Sequence, residues 1–295
     1  MRDATLIERF SRVRAGGGQV ALWWLGQAGF LYRASGVTAL LDPFLAPHEG
    51  RRFETMLPAE TATGIDVILC SHEHIDHLDA VSLPALAAAS PGARIVVPRP
   101  IVSMVTDLGI AEDRVIGTQP GEKVEIGDIR IHPVPARHGV EIEDAYTFGT
   151  ELSEGLVRYL GYVVESDGVR LYHAGDTILY DGMAEGLRGI GVDVALLPIN
   201  GRDGYRESAG LVGNLDEREA AFLSRDMGAE MLIPTHYELF AHNRGYASRV
   251  LDTVDRENLD LNVLVPSRMD PFLVTSARTG APSRPRNRSW SPTKT

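Results

Sequence analysis

The segment Ser71-His72-Glu73-His74-Ile75-Asp76-His77 decides how the rest of the chain is read. It follows Val67-Ile68-Leu69-Cys70, a short apolar run with β-branched residues that reads as a buried strand. Four side chains able to bind a metal therefore stand within six residues, where a strand passes into a loop. His72 and His74 are two apart, so extended backbone turns both imidazoles to one side. Asp76 and His77 come after a turn and can face a second ion. Imidazole with carboxylate suits zinc, manganese or iron far better than calcium. A surface loop can be rich in histidine without function, but this spacing at a strand end fits a two-metal catalytic centre.

Working outward, 295 residues leave room for one large domain or two small ones. A hydrophobic content of 44% with 23% charged residues is ordinary for a soluble globular protein. No apolar run reaches the roughly 18–20 residues that span a bilayer. The charged start at Arg2 and Asp3 lacks the apolar core of a signal peptide. Cys70, the only cysteine, can form no internal disulfide, so the expected compartment is the cytoplasm. Net charge is −11, and residues 276–295 hold five basic groups and no acidic one. The remainder is thus more acidic still, a poor footprint for nucleic acid, which wants a basic face. The chain divides into an N-terminal extension (1–18, with a short helix over 6–13 ended by glycines), a domain (19–275) and a basic tail (276–295). The tail reads as a disordered Ser/Pro/Arg extension, with contact to polyanions as the other reading.

Further polar groups sit at other strand ends. Asp42 closes an antiparallel β start, where an unpaired carboxylate is costly. It either caps a turn or orients a ligand histidine from behind. His138 follows a strand over 128–134; alone it reads as a polar loop residue, beside the cluster as a ligand. A hairpin over 159–173 ends in His173, suited to a core hydrogen bond or to supporting the site. Asp176 follows Gly175, whose missing side chain permits close backbone approach. It could bridge two metals or cap the helix expected around 183–188. His236 ends a strand over 231–235. Asn200, Arg202 and Arg206 lie on a Gly-rich loop after the strand 192–199, as a phosphate or carboxylate clamp or as solvated loop residues. Helices are expected over 79–89, 101–108 and 216–227, and residues 140–157 could form a lid or rim. The order of elements fits two mixed sheets with helices outside.

His72-x-His74-x-Asp76-His77, followed in order by His138, Asp176 and His236, resembles the metallo-β-lactamase-fold hydrolase superfamily over residues 20–265. The resemblance implies an α+β fold, a four-layer αββα sandwich with metals between loops at one edge of the sheets. It places one ion on His72, His74 and His138 and a second on Asp76, His77 and His236, with Asp176 bridging. The ions would be divalent, manganese or zinc, and Asp76 and Asp176 would serve catalysis. Trp24-Leu25-Gly26-Gln27-Ala28-Gly29-Phe30, Pro198-Ile199-Asn200-Gly201-Arg202-Asp203, Gly213-Asn214 leading into Glu219-Ala220, and Pro234-Thr235-His236-Tyr237-Glu238-Leu239-Phe240 resemble the L-ascorbate-6-phosphate lactonase (UlaG-like) group. That group implies a water nucleophile attacking the lactone of a phosphorylated sugar acid, a small anionic substrate. A phosphodiesterase on nucleotides or phospholipid head groups would use the same centre, and a metal-binding sensor or assembly protein would use it without catalysis. No membrane partner is expected, and oligomeric state stays open, a homo-oligomer included.

Overall fold

Trp23 and Trp24 are neighbours in strand β1 (Gln19–Gly26) and both are buried, on opposite faces. Val20, Leu22 and Trp24 join one apolar core, and Ala21, Trp23 and Leu25 join another. A strand buried on both faces needs a layer on each side of its sheet. The computed structural model, which describes residues 5–146 and 155–276, supplies both.

In the first sheet, β1, β2 (Gly29–Ala34) and β3 (Val37–Leu41) form an antiparallel meander. Onto β3 add β4 (Val67–Leu69), β5 (Arg94–Pro98) and β6 (Val115–Thr118), all parallel. The second sheet repeats this plan. Antiparallel β7 (Val124–Ile126), β8 (Ile129–Pro135), β9 (Leu160–Ser166) and β10 (Val169–His173) lead into parallel β11 (Val194–Pro198), β12 (Met231–Thr235) and β13 (Asn262–Val263). A last strand, β14 (Phe272–Thr275), returns to pair antiparallel with β1.

Helices α1 (Leu6–Ser11), α2 (Leu83–Ala89) and α3 (Val102–Thr106) pack on the outer face of the first sheet. Helices α4 (Met183–Ile190), α6 (Glu217–Met227) and α7 (Ala247–Arg256) pack together outside the second, with the five-residue α5 (Gly204–Ser208) in a connection. This is the expected four-layer αββα sandwich. Among the described residues no helix is long and apolar enough to cross a membrane.

Four elements differ from the sequence reading. Residues 1–18 are not peripheral where they are described. Thr5 and Glu8 form a reciprocal capping box on α1, and Phe10 is fully buried against Trp23, ring centroids 6.2 Å apart. Truncating such an aromatic costs about 3–5 kcal/mol. Helix α2 begins at Leu83 and not at residue 79, because the Asp79 carboxylate accepts the Val81 and Ser82 N–H groups in a turn. The same carboxylate accepts the Leu45 and Ala46 N–H groups, which pins the loop after β3. Finally, α7 and β14 were not foreseen. Strand β14 buries only Val274 fully, too little for a pattern, whereas α7 carries Ala247, Val250, Leu251 and Val254 at helical spacing, a periodic signal the sequence reading passed over. The lid expected over 140–157 falls partly, and the tail 276–295 almost wholly, outside the described residues.

The loops following β3, β4, β8, β10, β11 and β12 leave the carboxyl ends of their strands, where open α/β sheets characteristically bind ligands. Gly175 brings two of these loops into contact. Its φ is +59°, and a Cβ there would lie 2.5 Å from Ser71 Cβ. Only glycine meets both demands.

Candidate metal centre

The seven donors named from the sequence gather into two groups. Ligand atoms of His72, His74, His138 and Asp176 lie within 4.8 Å of one another, and so do those of Asp76, His77 and His236. Hydrogen-bond partners on the far side of the His74 and His72 rings assign their tautomers. His74 Nε2 donates to the Val140 carbonyl at 3.0 Å, leaving the lone pair of Nδ1 toward the group. The Ser71 hydroxyl donates to Asp42 Oδ2 (2.7 Å), so His72 Nδ1 donates to Ser71 Oγ (3.0 Å) and His72 Nε2 also offers a lone pair. These two bare nitrogens face each other at 2.9 Å, with His138 Nε2 3.3 Å from His74 Nδ1. Lone pairs converging at that distance repel unless a cation lies among them.

The second group shows the same sign. His77 Nδ1 donates to Asp42 Oδ2 at 2.7 Å, which leaves Nε2 turned toward Asp76 and Asp176. His77 Nε2 and Asp176 Oδ1 are buried without a hydrogen bond and stand 3.3 Å apart. Asp176 Oδ2 lies 3.6 Å from His138 Nε2 and 3.4 Å from His236 Nε2, so this carboxylate spans both groups. His236 Nε2 is 3.1 Å from Asp76 Oδ2. The residues therefore fit one divalent ion in each group, as nitrogen and carboxylate donors suit zinc or manganese.

Asp42 organises the centre from beneath. It is fully buried, and it accepts from Ser71 N (2.7 Å) and Oγ (2.7 Å), from His77 Nδ1 (2.7 Å) and from His173 Nε2 (2.8 Å). Both roles weighed for His173 thus coincide: its hydrogen bond is in the core and it supports the carboxylate that orients His77. Asp42 (φ +39°) and His236 (φ +57°) both adopt the left-handed region, which Asp and His tolerate better than most residues. Gln27 (φ +53°) does so too, and sequence reasoning assigned it no role. Its amide donates to Asp76 Oδ2 at 2.7 Å, and its carbonyl accepts the His236 N–H at 3.0 Å. The only signal was a polar residue between two glycines in an apolar stretch.

Burial and charge set the protonation states. Burial pushes His72 far below the usual histidine range and His138 down to about 3, keeping both neutral. For His77 and His236 burial acts the same way, but the facing carboxylates, Asp176 foremost, overcome it and raise both. Burial opposes ionisation of Asp76 and Asp176, and the imidazoles outweigh it, holding both carboxyls well below their ordinary value. The oxygens are thus ionised and available to a cation.

A cleft of about 540 Å³ opens onto Asp76, Asp176 and His236. The three residues expected to clamp an anion do not line it. Arg202 is tied bidentately to Glu219 (2.7 and 2.6 Å) and to the Asn214 carbonyl. Arg206 pairs with Asp203 and reaches the Arg244 carbonyl and Asn243 Oδ1. Asn200 is buried, donating to Asn243 and accepting from Asn214. These residues knit neighbouring loops together through acidic, amide and carbonyl partners. The guanidinium that does line the cleft belongs to Arg158, just before β9, and it forms an ion pair with Glu73. Sequence reasoning singled out neither.

Residues 38–237 match a family described as a β-lactamase superfamily domain. A UPF0173 metal-dependent hydrolase of Archaeoglobus fulgidus is 31% identical over 243 residues, covering 82% of this chain and 94% of that protein. Its counterpart in Opitutus terrae is 35% identical over 219 residues, covering 73% and 84%. Among solved structures, Igni18, a metallo hydrolase from the archaeon Ignicoccus hospitalis, superposes with a TM-score of 0.65 at 23% identity, covering 87% of this chain and 98% of that one. At that identity the likeness shows a shared fold.

Proposed function

This chain belongs to the metallo-β-lactamase superfamily, among its metal-dependent hydrolases, and from that premise we propose that it binds two divalent ions and hydrolyses a carboxylic ester or lactone. The observation that carries the reading is the pair of donor groups spanned by Asp176, with bare nitrogens of His72 and His74 facing each other at 2.9 Å. Manganese or zinc held there would supply Lewis acidity, lowering the pKa of a water toward neutrality and polarising the substrate carbonyl. The chain's own residues do the rest. Asp42 and the Val140 carbonyl hold His77 and His74 by the nitrogen turned away from the centre, so that the other nitrogen of each faces the site. Gln27 fixes one oxygen of Asp76, leaving the other free. Asp176, facing the cleft, is placed to orient a nucleophilic water by accepting its hydrogen bond.

The ester or lactone bond is retained from the resemblance to the ascorbate-6-phosphate lactonase group. The phosphate is not, because the arginines expected to hold it are engaged elsewhere. Cys70 is buried and free, which supports a cytoplasmic location. The test is elemental analysis of the purified protein, followed by assays with Mn²⁺ and Zn²⁺ against esters, lactones and phosphodiesters. Two ions per chain with ester or lactone turnover support the proposal. Turnover of phosphodiesters alone replaces it with a phosphodiesterase, and two ions without turnover replace it with a metal-binding protein that is no enzyme.

A further inference from the structure

Resting on the hydrolase reading above, we infer that the substrate carries an uncharged, apolar body beside its ester or lactone carbonyl. The cleft beside Asp76 and Asp176 is walled by Ile75, Met104, Val140, Leu211, Val212 and Phe240. They come from separate parts of the chain: the loop of the first histidines, α3, the segments around residues 140 and 211, and the loop after β12. Ile75 is the telling member. It stands between two metal-ligand candidates yet is 59% exposed, and Met104, also in the lining, is 42% exposed. Large apolar side chains held in water gain nothing from folding, whereas a ligand that covers them gains about 25 cal/mol for each Å² removed from water. Their convergence on one concave site, of a size typical for small-molecule pockets, marks them as its lining.

Charge points the same way. Among the described lining residues Arg158 is the one permanent cation, and Glu73, whose side chain is 4% exposed, neutralises it. With Asp76 and Asp176 also in the wall, no described lining side chain adds to the ions the free guanidinium or ammonium that phosphate recognition uses. The polar groups left at the rim are His48, His242 and Asn243. His48 Nδ1 accepts the Gly50 N–H at 3.1 Å, so its ring carries the proton on Nε2, a donor suited to a carbonyl or ether oxygen.

The experiment is a chain-length series. With Mn²⁺- or Zn²⁺-loaded protein, kcat/KM for 4-nitrophenyl esters from acetate to octanoate should rise by up to about fourfold per methylene until the cleft is filled. A phosphorylated sugar-acid lactone should be turned over at least about a hundredfold less well, the scale on which a buried charge lacking a partner is rejected. A flat series, or preference for the phosphorylated lactone, overturns the inference. Leu211→Asp should flatten the series with metal content unchanged, and Met104→Glu gives a second, independent wall variant. Glu73→Gln releases Arg158 and should strengthen inhibition by octanoate about tenfold, as expected of a freed charge-assisted contact; no gain overturns the charge argument. Calorimetric titration with octanamide and acetamide separates this inference from the hydrolase reading. If no ester is hydrolysed but octanamide binds more tightly than acetamide, the apolar site stands and the hydrolase reading falls. If neither amide binds and no ester is cut, both fall.

Discussion

Replacing Asp42 by asparagine removes one charge from a fully buried carboxylate that accepts four hydrogen bonds, while nearly preserving its shape. The residue sits at φ +39°, a conformation asparagine tolerates as well as aspartate, so the backbone contributes little to the change. Oδ1 accepts the Ser71 N–H, and asparagine can keep that bond. Oδ2 accepts from Ser71 Oγ, His77 Nδ1 and His173 Nε2, and an amide NH₂ in its place sets a donor against three donors. The serine hydroxyl can turn and accept, which recovers one interaction. Two imidazole donors remain opposed in a fully buried site, a loss of about 3–5 kcal/mol, as when one partner of a buried pair is removed. His77 can relieve part of this by moving its proton from Nδ1 to Nε2. That nitrogen is the one facing Asp76 and Asp176, so the relief comes at the expense of the metal. The expected outcome is therefore double. Guanidinium unfolding of chelator-treated D42N should show a loss of at least about 2 kcal/mol after such relief, and calorimetric titration should show metal affinity lower by 10–100-fold, roughly the effect of losing a residue that supports a ligand. Stability within about 0.5 kcal/mol of the parent, the range of a neutral surface change, together with unchanged metal affinity, would refute the role assigned to Asp42.

Other substitutions probe the remaining elements. Asp176→Ala should bind fewer ions by elemental analysis and lose more than the roughly 100-fold in turnover typical of residues that only support a ligand; full metal content with parental activity removes it from the bridging position. Arg202→Ala should lower stability by about 1 kcal/mol, as for a partly exposed ion pair, and leave KM for anionic and neutral substrates alike unchanged; a rise for anionic substrates only would restore the clamp. The same pair sets a pH dependence. Burial acts to raise the Glu219 carboxyl, but Arg202 overcomes it and holds it below the ordinary value. Its stabilisation is thus present above the unfolded carboxylate pKa and fades as pH falls through the lower folded value. The gap between the parent and Glu219→Gln in urea unfolding should accordingly close between neutral pH and about pH 3. Gly175→Ala should cost about 2–4 kcal/mol, combining left-handed backbone with a forced contact on Ser71. Gly228→Ala, at φ +79° with nothing within 4 Å, should show only the backbone part, about 1 kcal/mol; equal losses at the two sites would dismiss the close-approach argument.

The differences between sequence and structure share a cause. Arg202 and Arg206 on a glycine-rich loop had the composition of an anion clamp. Glu219 is the N3 residue of the α6 capping box, seventeen residues on, and it takes up the Arg202 guanidinium. Whether a cation is free depends on the neighbour that folding brings to it. Phe10 and the helix around it read as an extension for a similar reason, since a single turn and a half of helix shows its apolar face only when Trp23 is there to cover it.

What the sequence determined by itself is the set of donor groups that could hold metal. A metal ligand is defined by its own donor atom, and His72, His74, Asp76 and His77 carry theirs at a spacing the local backbone converts into geometry. His138, Asp176 and His236 were legible because each ends a strand whose apolar run is visible in the sequence. The tertiary structure alone decided which lone pairs meet, through Asp42 and the Val140 carbonyl on the far sides of the rings. It alone placed Gln27 on Asp76, 49 residues away, and Glu73 against Arg158. Those contacts set the protonation of the ligands and the charge of the cleft. Both depend on burial and on partners distant in the chain, and neither is a property of any segment read alone.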